Sequence, residues 1–244
     1  MDESNKIVLR RKEDRRLRGG HLWVFSNEVD IHASPLTDFS PGDRTDVVDH
    51  AGKPLGTALV NPHSLICARL ISRKPGVNPT AGWFRKRLQR ALASRQTLAA
   101  GPGDCYRLVH GEADGLPGLI VDRYGDVLVG QLNTAGMDLR RAEIEQALVA
   151  LLEPRGILWR NDSQVRKLEG LPLETIEGPG EVSDSVCVTE GELRFEIDLA
   201  PGQKTGWYFD QVANRERTAP LLGACPRVLD LYCYQGAWGV AAAR

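Results

Sequence analysis

The stretch Val228-Leu229-Asp230-Leu231-Tyr232-Cys233-Tyr234-Gln235-Gly236-Ala237-Trp238-Gly239 sets the fold class of this 244-residue chain. Residues 228–232 form a short apolar run of the buried-strand type, a glycine-bearing turn follows, and the alanine-rich end reads as a helix. Strand, turn and helix make the first unit of a doubly wound sheet, where ligands bind beyond the carboxyl ends of the strands. Backbone N–H groups at such a turn can face a carboxylate-bearing or anionic cofactor, and small residues let it approach the main chain. Gly236-x-x-Gly239 lacks the full GxGxxG fingerprint of dinucleotide sites, which disfavours a nicotinamide enzyme. Ahead of it, Ala200-Pro201-Gly202-Gln203-Lys204-Thr205-Gly206-Trp207-Tyr208-Phe209 leads into a helix expected over 210–222.

The composition is that of an ordinary folded chain, with 42% apolar and 26% charged residues. No apolar run approaches the ~20 residues of a membrane-spanning helix. Residues 1–6 lack the apolar core of a secretory signal, so a cytoplasmic location is expected. The five cysteines (67, 105, 187, 225, 233) contain no CxxC pair and the five histidines no HxxxH or HExxH spacing. Neither a disulfide framework nor a metal site is therefore expected, and the thiols should be free and mostly buried. The net charge of −1 hides an asymmetry, because residues 1–103 hold 17 Lys+Arg against 10 Asp+Glu. From 51 to 103 there is no acid, yet there are nine basic residues: Lys53, Arg69, Arg73, Lys74, Arg85, Lys86, Arg87, Arg90 and Arg95. A second cluster comprises Arg10, Arg11, Lys12, Arg15, Arg16 and Arg18. Such charge attracts polyanions through counterion release, which makes nucleic acid the first candidate ligand and a solvated basic face the alternative.

Strand-like runs at 6–9, 44–49, 55–60 and 65–71, separated by turns such as Asp49-His50-Ala51-Gly52, predict a small β-barrel to about residue 75. Trp23 and Phe25, two apart on a strand, share one face, and filling the barrel core is their expected role, with base stacking the alternative. A helix is expected over 79–100, a hairpin over 118–123 and 127–132, and an amphipathic helix over 139–152. Further strands are expected at 157–160, 173–176, 186–189 and 193–199, with Gly178-Pro179-Gly180 as the loop leading out of the middle unit.

Five separated motifs then resemble one family: the bacterial 23S rRNA large-subunit methyltransferases that act on cytosine C5. They are the basic lead into His21-Leu22-Trp23-Val24-Phe25-Ser26; the run from Tyr106 through His110-Gly111-Glu112-Ala113-Asp114-Gly115-Leu116-Pro117-Gly118 to Asp122; and Arg160-Asn161-Asp162-Ser163 with Arg166-Lys167-Leu168-Glu169-Gly170. The others are Gln203-Lys204-Thr205-Gly206-Trp207-Tyr208-Phe209-Asp210-Gln211 with Asn214-Arg215, and Val228 to Tyr234. The resemblance implies an α+β N-terminal part, made of a PUA-like RNA-binding barrel (1–75) and a central mixed α/β domain (76–185). It further implies a β-hairpin linker (186–199) and the beginning of a Rossmann-like class I methyltransferase domain (200–244). S-adenosyl-L-methionine would be the cofactor and 23S ribosomal RNA the partner.

By the family pattern, Lys204, Thr205, Gly206, Tyr208, Asp230, Tyr232, Tyr234 and Gly236 lie at the cofactor. A lysine and a hydroxyl can hold the methionyl carboxylate, an acid can accept from the ammonium, and aromatic rings attract a sulfonium. Candidate RNA contacts are Arg15, Arg18, Trp23, Arg69, Arg85, Arg87 and Arg90. The family's Tyr-Thr-Gly-Gly-Phe loop is here Tyr234-Gln235-Gly236-Ala237-Trp238, where alanine and a larger ring would crowd the cofactor. The resemblance also calls for an acid on a second strand and a nucleophilic cysteine, both beyond Arg244. That thiolate is needed because C5 of cytosine is a poor nucleophile until C6 is attacked, and Cys233 sits in the wrong loop for the task. The expectation is therefore the front part of a methyltransferase, truncated or a stretch of a longer chain, incompetent alone and poorly anchored from about residue 200, because a lone parallel strand cannot satisfy its backbone. The competing reading is a PUA-type RNA-binding module that has lost its catalytic domain, with salt-sensitive RNA affinity and no cofactor.

Overall fold

The computed structural model describes residues 6–97, 104–199, 205–222, 225 and 227–243. The first unit contains β1 (Ile7–Val8), helix α1 (Arg15–Arg18), β2 (Trp23–Val24), β3 (Arg44–Val48), β4 (Pro54–Val60) and β5 (Ala68–Ser72). The strands lie in the order β1-β3-β4-β5-β2. The chain after β2 then returns to the opposite edge: Leu9 bridges Val29, and the Asp30 N–H donates to the Val8 carbonyl at 2.9 Å. The sheet is thereby closed, as the strand pattern predicts, around Ile7, Leu9, Leu17, Val24, Val47, Ala58, Val60 and Leu70. The expectation that Trp23 and Phe25 fill this core is wrong. Val24, between them, is buried, and the alternation turns both rings outward.

The second unit begins with α2 (Ala81–Gln96), whose first turn is capped by the Thr80 hydroxyl accepting from the Trp83 N–H. Then come β6 (Cys105–His110), β7 (Leu119–Tyr124), β8 (Val127–Leu132), α3 (Ala135–Asp138), α4 (Arg141–Leu152), β9 (Gly156–Asn161), α5 (Val165–Leu168) and β10 (Glu174–Gly180). They form a sheet of order β10-β9-β8-β7-β6, antiparallel except for β8 and β9. That parallel pair requires a crossover, which α4 supplies. Helices α2 and α4 cover one face, burying Phe84, Leu88, Leu108, Leu128, Ile144, Leu148, Ile157 and Trp159. The Trp159 indole inside this core donates to Glu145 at 2.8 Å. Strand β6 has no counterpart in the sequence reading. Gly178 to Gly180 belong to β10, past a register shift, and do not form an exit loop.

The other face of the second sheet carries an antiparallel hairpin, β11 (Ser185–Glu190) and β12 (Leu193–Asp198), followed by α6 (Val212–Leu222) and α7 (Ala237–Ala242). Val188, Phe195, Ile197 and Trp207 pack there on Tyr124, Val127, Val129 and Leu158. Two expectations are corrected here. The poor anchoring expected from about residue 200 holds only in part: Thr205, Trp207 and Arg215 are buried, whereas Leu229, Leu231 and Tyr232 are exposed. Residues 228–232 do not form a strand, because no described neighbour pairs with them, and Leu229 and Leu231 are 80% and 68% exposed.

Candidate functional site

The basic residues of the first half divide into two groups. Trp23 and Arg69 are register partners across β2 and β5, and both reach acids of the second unit. The Trp23 indole donates to Glu112 at 2.7 Å, and Arg69 pairs with the buried carboxylate of Glu169 at 2.7 Å. Glu169 also accepts from the Asn61 amide at 2.9 Å and from the Ala135 N–H at 3.3 Å. Arg87 donates to the Ile71 carbonyl at 2.9 Å with its guanidinium over the Trp83 ring. Burial, and then the nearby Arg90 charge, lower its pKa. Trp23, Arg69 and Arg87 thus join the first unit to the second, a role the sequence reading did not assign to them. Arg18 is exposed but paired with Asp14 and with Asp49, at 2.8 Å to the latter. Arg15, Arg85 and Arg90 are exposed, as an RNA contact requires.

The second feature is a cleft of about 290 Å3 between the 207–215 segment and the turn 232–238, lined by Trp207, Tyr208, Gln211, Arg215, Tyr232, Cys233, Tyr234, Gln235, Ala237 and Trp238. Tyr208 and Tyr234 meet edge to face, ring centres 6.0 Å apart. The Tyr234 hydroxyl donates to the Gly206 carbonyl at 3.0 Å. Arg215 forks onto Glu190, which also accepts from the Trp207 indole at 2.6 Å, and its guanidinium lies 5.3 Å from that ring. Tyr232 and Tyr234 hold positive φ angles of 57° and 49°, a left-handed conformation that costs a non-glycine residue free energy.

Of the eight sequence-derived cofactor residues, Tyr208, Tyr232 and Tyr234 line the cleft. Gly236, at φ 70°, makes the turn that precedes α7. Lys204 lies outside the described residues. Asp230 is turned inward, accepting from the Gly239 N–H at 2.9 Å. Thr205 faces away from the cleft: its hydroxyl donates to Asp122 and its carbonyl accepts from the Tyr124 hydroxyl at 3.1 Å. Gly206, at φ 123°, holds a backbone conformation that L side chains rarely adopt, and a Cβ there would stand 3.0 Å from the Tyr124 oxygen.

The residues that hold this segment were not legible as site residues. Asp122 is fully buried and accepts two bonds from Arg107, at 2.8 and 3.0 Å, besides the one from Thr205. Burial opposes the Arg107 charge, but the bonds and charge of Asp122 outweigh it, and its pKa is raised. Burial raises the Tyr124 phenol well above its ordinary value, leaving it a neutral donor. The available signal was an acid within the apolar run Leu119-Ile120-Val121-Asp122. Among the thiols, Cys67 is buried and Cys105 half-buried, whereas Cys187, Cys225 and Cys233 are exposed, against expectation. Among the described residues no cluster of three or more metal-ligating side chains occurs, and no helix is long and apolar enough to cross a membrane.

The closed first sheet defines a class: residues 7–73 match the family profile of a PUA-like domain. Over 98% of its length the chain is 38% identical to the ribosomal RNA large subunit methyltransferase I of Cronobacter sakazakii, and it spans 60% of that relative. Its backbone is similar to that of a Streptococcus mutans protein described as a SAM-dependent methyltransferase, with a TM-score of 0.79, 22% identity, and coverage of 98% of this chain and 60% of the other. A structure described as a methyltransferase complexed with SAH gives 0.78, 22%, 98% and 59%. At that identity the two structures speak for the fold.

Proposed function

We propose that the chain is the N-terminal portion of an S-adenosylmethionine-dependent RNA methyltransferase that modifies C5 of a cytosine in 23S rRNA in the cytoplasm. The 38% identity to a relative bearing the ribosomal RNA methyltransferase name supports the lineage. The observation that carries the cofactor reading is that Tyr208 and Tyr234, from two separate motifs, meet edge to face in one cleft, with the exposed Tyr232 at its edge. Its volume falls at about the lower limit of the ~300–1,000 Å3 usual for small-molecule sites, and its aromatic lining suits the sulfonium end of the cofactor. When bound, S-adenosylmethionine supplies the electrophilic methyl group.

The chain's own residues bind and orient. Tyr208 and Tyr234 form an edge-to-face wall, Arg215 and Glu190 brace the Trp207 side, and Arg15, Arg85 and Arg90 meet the RNA backbone. The chemistry needs a thiolate that adds to cytosine C6. Cys67 is buried in the first sheet, Cys105 and Cys187 line a different cleft, Cys225 is exposed, and Cys233 lines the cofactor cleft itself. The family pattern, and not the structure, is the ground for assigning the nucleophile to a later segment than Cys233.

Calorimetry of this chain with S-adenosylhomocysteine tests the cofactor reading. Heat of binding is expected, and its absence overturns it. A second reading, an RNA-binding module without cofactor, is favoured by the engagement of Asp230 and Thr205 within the protein. It predicts salt-sensitive binding to a 23S rRNA fragment together with a silent cofactor titration.

A further inference from the structure

We infer that Asp122, on the second sheet, is a positioning residue for the cofactor cleft, acting through Thr205. The inference rests on the cofactor reading above. Asp122 belongs to β7, whose backbone is already paired on both sides, so the sheet does not need its carboxylate. A buried carboxylate is costly unless paired and hydrogen-bonded. The partners here come from two places: Arg107 on the neighbouring β6 and the hydroxyl of Thr205, 83 residues later. Tyr124, two residues along the same strand, fastens the Thr205 carbonyl, and the next carbonyl, that of Gly206, accepts from Tyr234 in the cleft.

A connected set of hydrogen bonds therefore runs from Arg107 and Asp122 through the 205–206 backbone to Tyr234, whose ring meets Tyr208. The two motifs that contain Asp122 and Thr205 acquire one joint purpose: the second sheet fixes the height and direction of the strip that carries Tyr208. Arg107 is the partly exposed end of this set, its side chain 32% accessible, while Asp122 is closed to solvent.

The test compares Thr205→Val, which keeps the shape and removes the hydroxyl, with Thr205→Ser, which restores it, in the full 244-residue chain. Two readouts are used: hydrogen exchange of the 206–211 amides and calorimetric affinity for S-adenosylhomocysteine. Loss of a hydrogen bond to a buried carboxylate predicts that Thr205→Val speeds exchange at 206–211 and weakens the ligand by about tenfold each. Amides of β4 and β5 should be unchanged, and Thr205→Ser should return both readouts to within about twofold of the parent. Asp122→Asn should reproduce the valine phenotype.

Unchanged exchange at 206–211 in Thr205→Val overturns the inference whatever the ligand does. So does faster exchange with undiminished affinity, because the strip would then not position the cleft. A parent chain that releases no heat with the ligand overturns the cofactor reading and, with it, the role assigned here to Asp122. A general loss of protection across β4 and β5 in the valine variant, not repaired by serine, would make Thr205 a stability residue and also overturn the inference.

Discussion

Replacing Glu169 tests how the first sheet is held against the second. The carboxylate side chain is 1% exposed and its partner Arg69 13% exposed, at 2.7 Å. The Asn61 amide and the Ala135 N–H also point at Glu169 Oε2, at 2.9 and 3.3 Å. Glu169→Ala leaves the guanidinium, the amide and the N–H facing a void. Breaking one side of a buried pair costs about 3–5 kcal/mol. Arg69 keeps some solvent and Asn61 keeps its bond to the Glu169 carbonyl, which places the expectation at about 3 kcal/mol. For a chain of this size that lowers Tm by about 6–12 °C. Glu169→Gln retains an acceptor but turns an NH2 group toward another donor, and about 2 kcal/mol is expected. Scanning calorimetry at fixed protein concentration reads both, and a double-mutant cycle with Arg69→Met isolates the pair. A Tm drop under about 2 °C for Glu169→Ala, or a coupling energy under about 0.5 kcal/mol, would refute the argument that this carboxylate holds the seam.

Charge reversal at Arg85 and Arg90 together should weaken binding to a 23S rRNA fragment and reduce the slope of log affinity against log salt by about 1.4–1.8; an unchanged slope would mean that this helix face meets only water. Burial pushes the Cys67 thiol up to about 12, so at pH 8 iodoacetamide should modify it about a thousandfold more slowly than an ordinary exposed thiol. Peptide mapping that finds Cys67 labelled alongside Cys187 and Cys225 would contradict this. Asp49 accepts from the backbone N–H groups of Lys53 and Ala51 and faces Arg18, which holds its pKa below the ordinary carboxylate value. Its contribution to stability is full above the unfolded carboxylate value and is lost as pH falls through the lowered folded one. Asp49→Asn should therefore destabilise near neutrality and show a flatter acid limb of Tm against pH, whereas a Tm offset constant across the acid range would be inconsistent with that linkage.

The parts of this fold legible from sequence are those whose signal is local. The β7–β8 hairpin, with Gly125 at φ 61° in its turn, α2 with its Thr80 cap and the β11–β12 hairpin depend on nearest neighbours along the chain. Strand β6 escaped because a register shift between Arg107 and Val109 breaks its period of two. The 228–232 run has the right composition for a buried strand, but a strand exists only with a partner, and composition cannot supply one. The aromatic pair Trp23 and Phe25 shares a face as expected, yet which face is core depends on the second sheet. The motif residues were drawn from a family pattern without their orientation. Tyr208 and Tyr234 do meet, Tyr232 projects into solvent at the edge of the same cleft, and Thr205 and Asp230 turn their polar groups into the protein.

Two buried carboxylates on the second unit explain why orientation was the illegible part. Glu169 draws Asn61 and Arg69, about a hundred residues earlier in the chain, onto one side of the unit. Asp122 draws Thr205, 83 residues later, onto the other. An acid within an apolar strand ordinarily reads as the solvent face, and only the arrival of a distant segment buries it. Each such group would be destabilising alone and becomes favourable only when its partner docks, so each rejects misdocked arrangements that would strand the charge. The second sheet is in this sense a frame with a basic, PUA-like unit fixed to one side and the tyrosine-bearing strip fixed to the other. The relative position of any RNA bound by the first and any cofactor held by the second is then a property of the frame. For that reason Arg69, chosen from sequence as an RNA contact, does more for such a function as part of the joint than it would as one more surface charge.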